Sequence, residues 1–270
     1  PSKNEPIVFD KEMIDLLVNA NKKIALLNGL SLRLPDMERF VSFCIRSEAV
    51  MSLQIDGLKI TIDDILNSQI ETNLGSDIND ASNYIRATEY AVSKLRKTSL
   101  SNQLIKETHA ILMADARWEN MNPGEFMQSQ ILSDREGGTL QNTRYIPPNT
   151  EDMRNAMYLF EHYLQHEWIW TDYDVLIQSA FVHYQFKTIS PFLCGNGRIS
   201  RLIIYLFLIY RESLSFPILC ISFFLKENYN EYNSTISDVR TKGDYELWIK
   251  FFLRAIDESA TITISAIDKF

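Results

Sequence analysis

Residues Leu202 to Tyr210 read LIIYLFLIY, an unbroken apolar and aromatic run closed on either side by Arg201 and Arg211. A helix that is hydrophobic all round is a buried helix, and this run falls far short of the roughly 18 apolar residues needed to cross a bilayer. The fold therefore has to cover this segment on every side. With 270 residues, 46% of them apolar and 23% charged, the chain has the material for a sizeable core and the balance of a soluble globular protein.

The rest of the chain offers helices to do the covering. Met13, Leu16, Leu17 and Ala20 recur on one helical face, as do Phe40, Phe43 and Cys44, and Met153, Met157, Phe160 and Leu164. Strand patterns are scarce. The exception is Phe126 to Pro148, where Gln130–Ser133 and Arg144–Ile146 flank a turn-forming stretch with paired Gly137 and Gly138, which reads as a β-hairpin or irregular flap. Thr150, followed by Glu151 and Asp152, reads as the cap and acidic first turn of the next helix. The expected fold class is all-α, in one compact domain, with the polar stretch Asn67 to Asn79 as a subdomain joint.

Charge and cysteine usage narrow the function classes. A net charge of −8 and a pI near 5.1 argue against a surface that coats nucleic acid or anionic membrane. Cys44, Cys194 and Cys220 are odd in number and lack metal-ligand spacing, which suggests neither a disulfide framework nor a zinc site and points to a reducing cytoplasm. No signal peptide opens the chain, but it begins at Pro1 rather than Met, so that observation carries little weight.

Directly ahead of the apolar run stands GNGRISR, Gly195 to Arg201. A Gly-Asn-Gly turn at a helix start leaves backbone N–H groups pointing outward, and arginines three residues apart lie on one side of the first turns. This is a phosphate-binding arrangement. By itself it competes with a glycine-rich helix cap carrying surface arginines.

The longer stretch ISPFLCGNGRISR resembles the signature of the Fic (Fido) family, HxFx(D/E)GNGRxxR, whose members are mostly adenylyltransferases that move AMP from ATP to a protein hydroxyl. The likeness extends to RSEAVMSLQIDG at Arg46–Gly57, similar to the family's inhibitory-helix motif (S/T)xxxE(G/N), to PGEF at Pro123–Phe126, RYIPP at Arg144–Pro148 and YELWIKFFL at Tyr245–Leu253. The resemblance implies a Fic helical bundle with a small β-hairpin flap. It divides the chain into an N-terminal helical region, residues 1–95, and a Fic core with C-terminal helices, residues 96–270. It assigns Gly195, Asn196 and Gly197 to the anion hole around a nucleotide's phosphates, Arg198 and Arg201 to the distal phosphates, and Phe192 to anchoring the loop. The flap between Ile131 and Tyr145 would hold a target segment by strand addition.

The departures from the family pattern are as informative. Ser190 stands where the family has its histidine, the general base, and loss of such a base costs about 10²–10⁴ in rate. Cys194 replaces the carboxylate that holds magnesium, and a thiol is a poor ligand for that hard ion. Met127 stands where many relatives carry arginine. Asp56 replaces the inhibitory glutamate; one methylene shorter, it is expected to meet Arg201 only through water or a single contact, leaving the pocket weakly occluded.

Four departures with the core pattern kept suggest a catalytically impaired Fic-like protein that retains a nucleotide or phosphate pocket, with ATP or another nucleotide as ligand and magnesium not expected. The alternative is an active transferase of AMP or another phosphate-containing group that uses a non-standard base. Expected partners are a nucleotide and an unidentified target protein, with neither membrane nor nucleic acid, and with room for a homodimer. Cys194 reads as a space-filling residue in preference to a reactive thiol, and His183 as a packing histidine in preference to a substitute base. His109, His162 and His166 read as solvated or half-buried. The aromatic groups Trp168, Trp170, Tyr173 and Phe223, Phe224, Tyr229, Tyr232 read as packing.

Overall fold

The computed structural model describes residues 7–67, 75–114, 121–128, 145–165 and 173–270. Its described residues form helices only, so the all-α expectation holds. The expected hairpin, including Ile131, lies largely outside the described residues, as do Trp168, Trp170, His166 and much of the proposed joint.

In chain order the helices are α1 (Lys11–Ser31), α2 (Met37–Ile55), α3 (Ile62–Asn67), α4 (Ser76–Leu95), α5 (Asn102–Leu112), α6 (Thr150–Gln165), α7 (Val175–Ile189), α8 (Asn196–Tyr210), α9 (Ile221–Glu227), α10 (Tyr229–Lys242) and α11 (Tyr245–Ile267). Local signals set several starts. Asp10, Asp36, Ser101, Asp174 and Asp244 each turn a side-chain oxygen onto a backbone N–H of the first turn that has no partner within the helix. At α6 the cap is Asn149, one residue earlier than expected. Its Oδ1 accepts from the N–H groups of Glu151 and Asp152, both at 3.0 Å, because a side-chain amide reaches two residues forward more readily than Thr150 can reach from within the first turn.

The apolar run behaves as its composition requires. Leu202 to Leu208 are all buried, with α7 along one side of α8 and α4 and α5 on others. α1 lies along α11, so the first and last long helices share a face, and α2 packs on α9. The faces on α1 and α6 point inward as expected. On α2 the buried stripe is Phe40, Cys44, Ile45, Glu48, Ala49 and Ser52, and Phe43 falls off it to the solvent side, 47% exposed. Phe224 and Tyr232 are core residues, while Phe223 and Tyr229 are exposed and do not pack as predicted. What this packing delivers is the placement of three ends: the C-terminal turn of α2 and the start of α4 both face the N-terminus of α8.

Candidate functional site

The turn between α7 and α8 is held from both flanks. α7 ends in Ser190, whose backbone is left-handed (φ 47°, ψ 63°) and whose N–H donates to the Phe186 carbonyl at 2.9 Å. The Ser190 hydroxyl donates to the Lys187 carbonyl at 2.8 Å, a local helix-end bond. Asn196 then closes the loop on itself: its Oδ1 accepts from Phe192 N–H at 2.9 Å and its Nδ2 donates to the Phe192 carbonyl at 2.7 Å. The Asn196 side chain is thereby spent on the loop, leaving its backbone N–H at the helix start.

His109 supports this loop from beneath, a role the sequence did not show. It is fully buried, not solvated or half-buried, and stacks face to face on Phe192 with centroids 3.7 Å apart and planes 2° apart. Its Nδ1 accepts from Gly124 N–H at 2.8 Å, so the proton sits on Nε2, which donates to the Cys194 carbonyl at 3.1 Å. Burial above all pulls its pKa down to about 4, keeping the ring neutral. The imidazole therefore ties α5 and the PGEF turn to the motif, while Met127 N–H donates to the Pro191 carbonyl at 2.8 Å.

Gly195 is fixed by two constraints at once. Its φ is +71°, and an added Cβ would lie 2.9 Å from Met113 Sδ and 3.2 Å from His109 Nε2. No side chain caps the start of α8, the setting in which backbone N–H groups and the helix dipole favour an anion. Cys194 just before it is a protonated thiol: burial raises its pKa to about 11, with the charge of Arg198 opposing and that of Asp80 adding to the rise. It has neither the thiolate of a reactive cysteine nor the oxygen of a magnesium ligand, in keeping with a space-filling residue.

Both arginines are already engaged. Arg201, 1% exposed, donates from Nε to Ser52 Oγ at 2.7 Å and from Nη2 to the Ser52 carbonyl at 2.9 Å and to Asp56 Oδ1 at 2.8 Å. Arg198 donates from Nε to Asp56 Oδ2 at 2.9 Å, and its Nη1 lies 3.0 Å from Asp80 Oδ2. One carboxylate thus spans two guanidiniums. The expected single contact to Arg201 is direct and not water-bridged; the second contact, to Arg198, was not expected and corrects the expectation of a weakly occluded pocket. Asp56 is the C-cap of α2 and Gly57 follows at φ +89°, with Gly57 N–H donating to the Gln54 carbonyl at 3.0 Å and Leu58 N–H to the Leu53 carbonyl at 3.1 Å. The helix end itself delivers the short side chain to the arginines, so reach along the side chain is not limiting. Burial pushes the Asp56 pKa up, but the charges of Arg201 and then Arg198 outweigh it and hold the carboxyl below its usual range.

Three further groups frame the site. Asp80, fully buried on α4, carried no sequence signal beyond its charge. Glu48, one turn above Ser52 on α2, accepts from Ser222 N–H at 3.0 Å and from the Ser222 hydroxyl, and burial raises its pKa to about 7 against those bonds and the charge of Arg201. His183 is the packing histidine expected: Nδ1 donates to the Ser200 carbonyl at 2.7 Å and Nε2 accepts from Tyr232 OH at 2.8 Å, with its pKa pulled to about 3 mainly by burial. At the described edge of the flap, Tyr145 donates to the Thr188 carbonyl at 2.7 Å beneath the Arg240 guanidinium, 3.6 Å from the ring centroid.

The two arginines, Asp56 and Asp80 all lie within two segments that match known families. The description "Fic/DOC family N-terminal" matches residues 14–93, and "Fic/DOC family" matches residues 99–208.

The chain belongs to the Fic/DOC family.

Among curated relatives, a probable protein adenylyltransferase of Aquifex aeolicus is 24% identical over 170 residues, which is 62% of this chain and 49% of the relative. The protein adenylyltransferase Fic of Drosophila erecta is 34% identical over 130 residues, 48% of this chain and 22% of the relative. The Fic chain thus spans half or less of the length of these relatives. Its fold is that of a Fic family protein from Desulfovibrio desulfuricans (TM-score 0.78, 18% identity, 97% of this chain and 76% of that one). It also matches a Fic-domain signaling protein from Bacteroides thetaiotaomicron (TM-score 0.69, 18% identity, 93% and 97%).

Proposed function

We propose that this Fic chain keeps a nucleotide-phosphate site of the adenylyltransferase type, held shut by Asp56, and transfers AMP poorly or not at all. The observation that carries the reading is the seat of the Asp56 carboxylate: its two oxygens lie 2.8 and 2.9 Å from donors on Arg201 and Arg198. A site that clasps one oxyanion between two guanidiniums at a helix N-terminus is built to take another. ATP would set its phosphates there once α2 moves aside, with the N–H groups of Gly195 to Arg198 completing the cradle.

Impairment rests on the neighbouring groups. The curated relatives named above are a protein adenylyltransferase and a probable one, and such a transfer needs a group to take the proton from the attacking hydroxyl. Ser190 has no basicity near neutral pH and its hydroxyl is turned to a backbone carbonyl. His109 and His183 have both ring nitrogens engaged and burial holds both neutral. Magnesium, which ATP chemistry in this family implies, does not fit the donor set: position 194 offers a protonated thiol, and Asp80 is paired with Arg198.

The test is restoration in an opened site. Asp56→Ala combined with Ser190→His and Cys194→Asp should transfer labelled AMP to protein at least about 10²-fold faster than Asp56→Ala alone. Equal labelling by the two would show that a base other than residue 190 is at work.

A further inference from the structure

Asp56 and Asp80 are both within ion-pair distance of Arg198, but they belong to different parts of the molecule. Asp56 ends α2, the helix whose last turn covers the motif. Asp80 lies in the first turns of α4 beside Ala81, Asn83 and Tyr84, all buried, and α4 packs against α5 and α8 as well as against α2, so it keeps α5 and α8 when the end of α2 moves. In the closed site Asp80 is 3.0 Å from Arg198 Nη1 and fully buried; because it is carried by α4, withdrawing the end of α2 would take Asp56 and the Ser52 bonds from the arginines without taking Asp80.

The charges at the site follow. Closed, Arg198 and Arg201 are balanced by Asp56 and Asp80. Open, the two guanidiniums would keep one carboxylate at ion-pair distance among the described residues, with Glu48 further off and bonded to Ser222, so these three side chains contribute a single net positive charge, augmented by the partial charge of the α8 N-terminus, roughly half a unit. Cys194 adds nothing, because its thiol is protonated where the family pattern has a carboxylate to bring in a divalent cation. Each additional phosphate then adds a negative charge beyond those that Arg198 and Arg201 balance, close to a buried carboxylate where like charges repel strongly.

We propose that Asp80 is a specificity-setting partner of Arg198, which makes the opened site favour a nucleoside diphosphate over the triphosphate. This rests on the nucleotide-site reading above and adds to it which ligand the site prefers. Asp80 acts through Arg198, holding one edge of its guanidinium and neutralising it, without touching the nucleotide itself.

Calorimetry on Asp56→Ala with ADP and with ATP, in magnesium-free buffer, tests this, and repeating it on Asp56→Ala with Asp80→Asn isolates the carboxylate. ADP should bind Asp56→Ala at least as tightly as ATP, and Asp80→Asn should move the ATP:ADP affinity ratio toward ATP by about tenfold, the effect of one unit charge at partly screened range. A purely structural role for Asp80 would change both affinities together. ATP binding Asp56→Ala tenfold tighter than ADP overturns the proposal even where the double variant fails to fold. Both nucleotides binding with a ratio that Asp80→Asn leaves unmoved overturns it while sparing the nucleotide site. Neither nucleotide binding Asp56→Ala overturns both.

Discussion

His183 and Arg201 are both buried polar side chains set against α8, yet their partners differ in kind. His183 bonds the Ser200 carbonyl on α8 and the Tyr232 hydroxyl on α10, amid Trp248 and Phe252, all within the core. Every side-chain bond described for Arg201 goes to the last turn of one helix, α2, through Ser52 and Asp56. A buried group satisfied by several core elements is a lock, since freeing it means unfolding them. One satisfied by a single helix end is a latch, because one displacement frees the whole guanidinium. The same cost of burying an unpaired polar group makes the first region rigid and, on the function proposed above, lets the second switch.

The comparison can be broken at its rigid end first. Phe192→Ala should remove about 3–5 kcal/mol of stability, as expected for a fully buried aromatic, and release the loop that His109 stacks upon. Chemical denaturation checks this, and a loss under about 1 kcal/mol would mean the loop is not built on that contact. His183→Leu should cost less, about 1–3 kcal/mol, by leaving the Ser200 carbonyl and the Tyr232 hydroxyl without their buried partner. It should leave nucleotide affinity in an Asp56→Ala background unchanged; a selective loss of binding would place His183 on the latch side of the comparison.

Glu48 lies between the two regions and sharpens the contrast through pH. Its pKa is about 7 in the folded chain against 4.5 ordinarily, so between those values the folded state binds a proton that the unfolded state has lost. Stability should fall as pH rises through that window, by up to about 3 kcal/mol, and Glu48→Gln should flatten the profile. An unaltered slope in the variant would show that Glu48 is ionised at its Ser222 bonds throughout. Smaller still, Arg198→Ala in the Asp56→Ala background should weaken ATP by about tenfold, since a charge-assisted bond contributes roughly 1.5–3 kcal/mol. Unchanged affinity would move the phosphate site elsewhere.

Much of the rigid region was legible in the sequence, and less of the latch. Leu202–Tyr210 has one reading because no polar residue interrupts it, and His183 already reads as a packing residue. GNGRISR pointed to the proposed anion site through backbone geometry that glycine makes local. The single contact of Asp56 to Arg201 was legible, but its second contact, to Arg198, was missed because side-chain length was weighed alone, whereas the C-cap turn at Gly57 and the packing of α2 on α9 and α4 set where its carboxylate falls. His109 and Asp80 were silent because their partners are 85 and 118 residues away in sequence, His109 against Cys194 and Asp80 against Arg198, with no periodicity to join them. Asn149 took the cap expected of Thr150 for a local reason, the forward reach of its amide.

The central claim is that the Asp56 carboxylate occupies the place of a phosphate and keeps the site shut. It is tested most directly by titrating ATP into the native chain and into Asp56→Asn, which preserves side-chain size and removes the charge. The account predicts that Asp56→Asn binds ATP at least about tenfold more tightly than the native chain, because two charge-assisted contacts no longer compete with the ligand. Equal affinities, or tighter binding by the native chain, would contradict it.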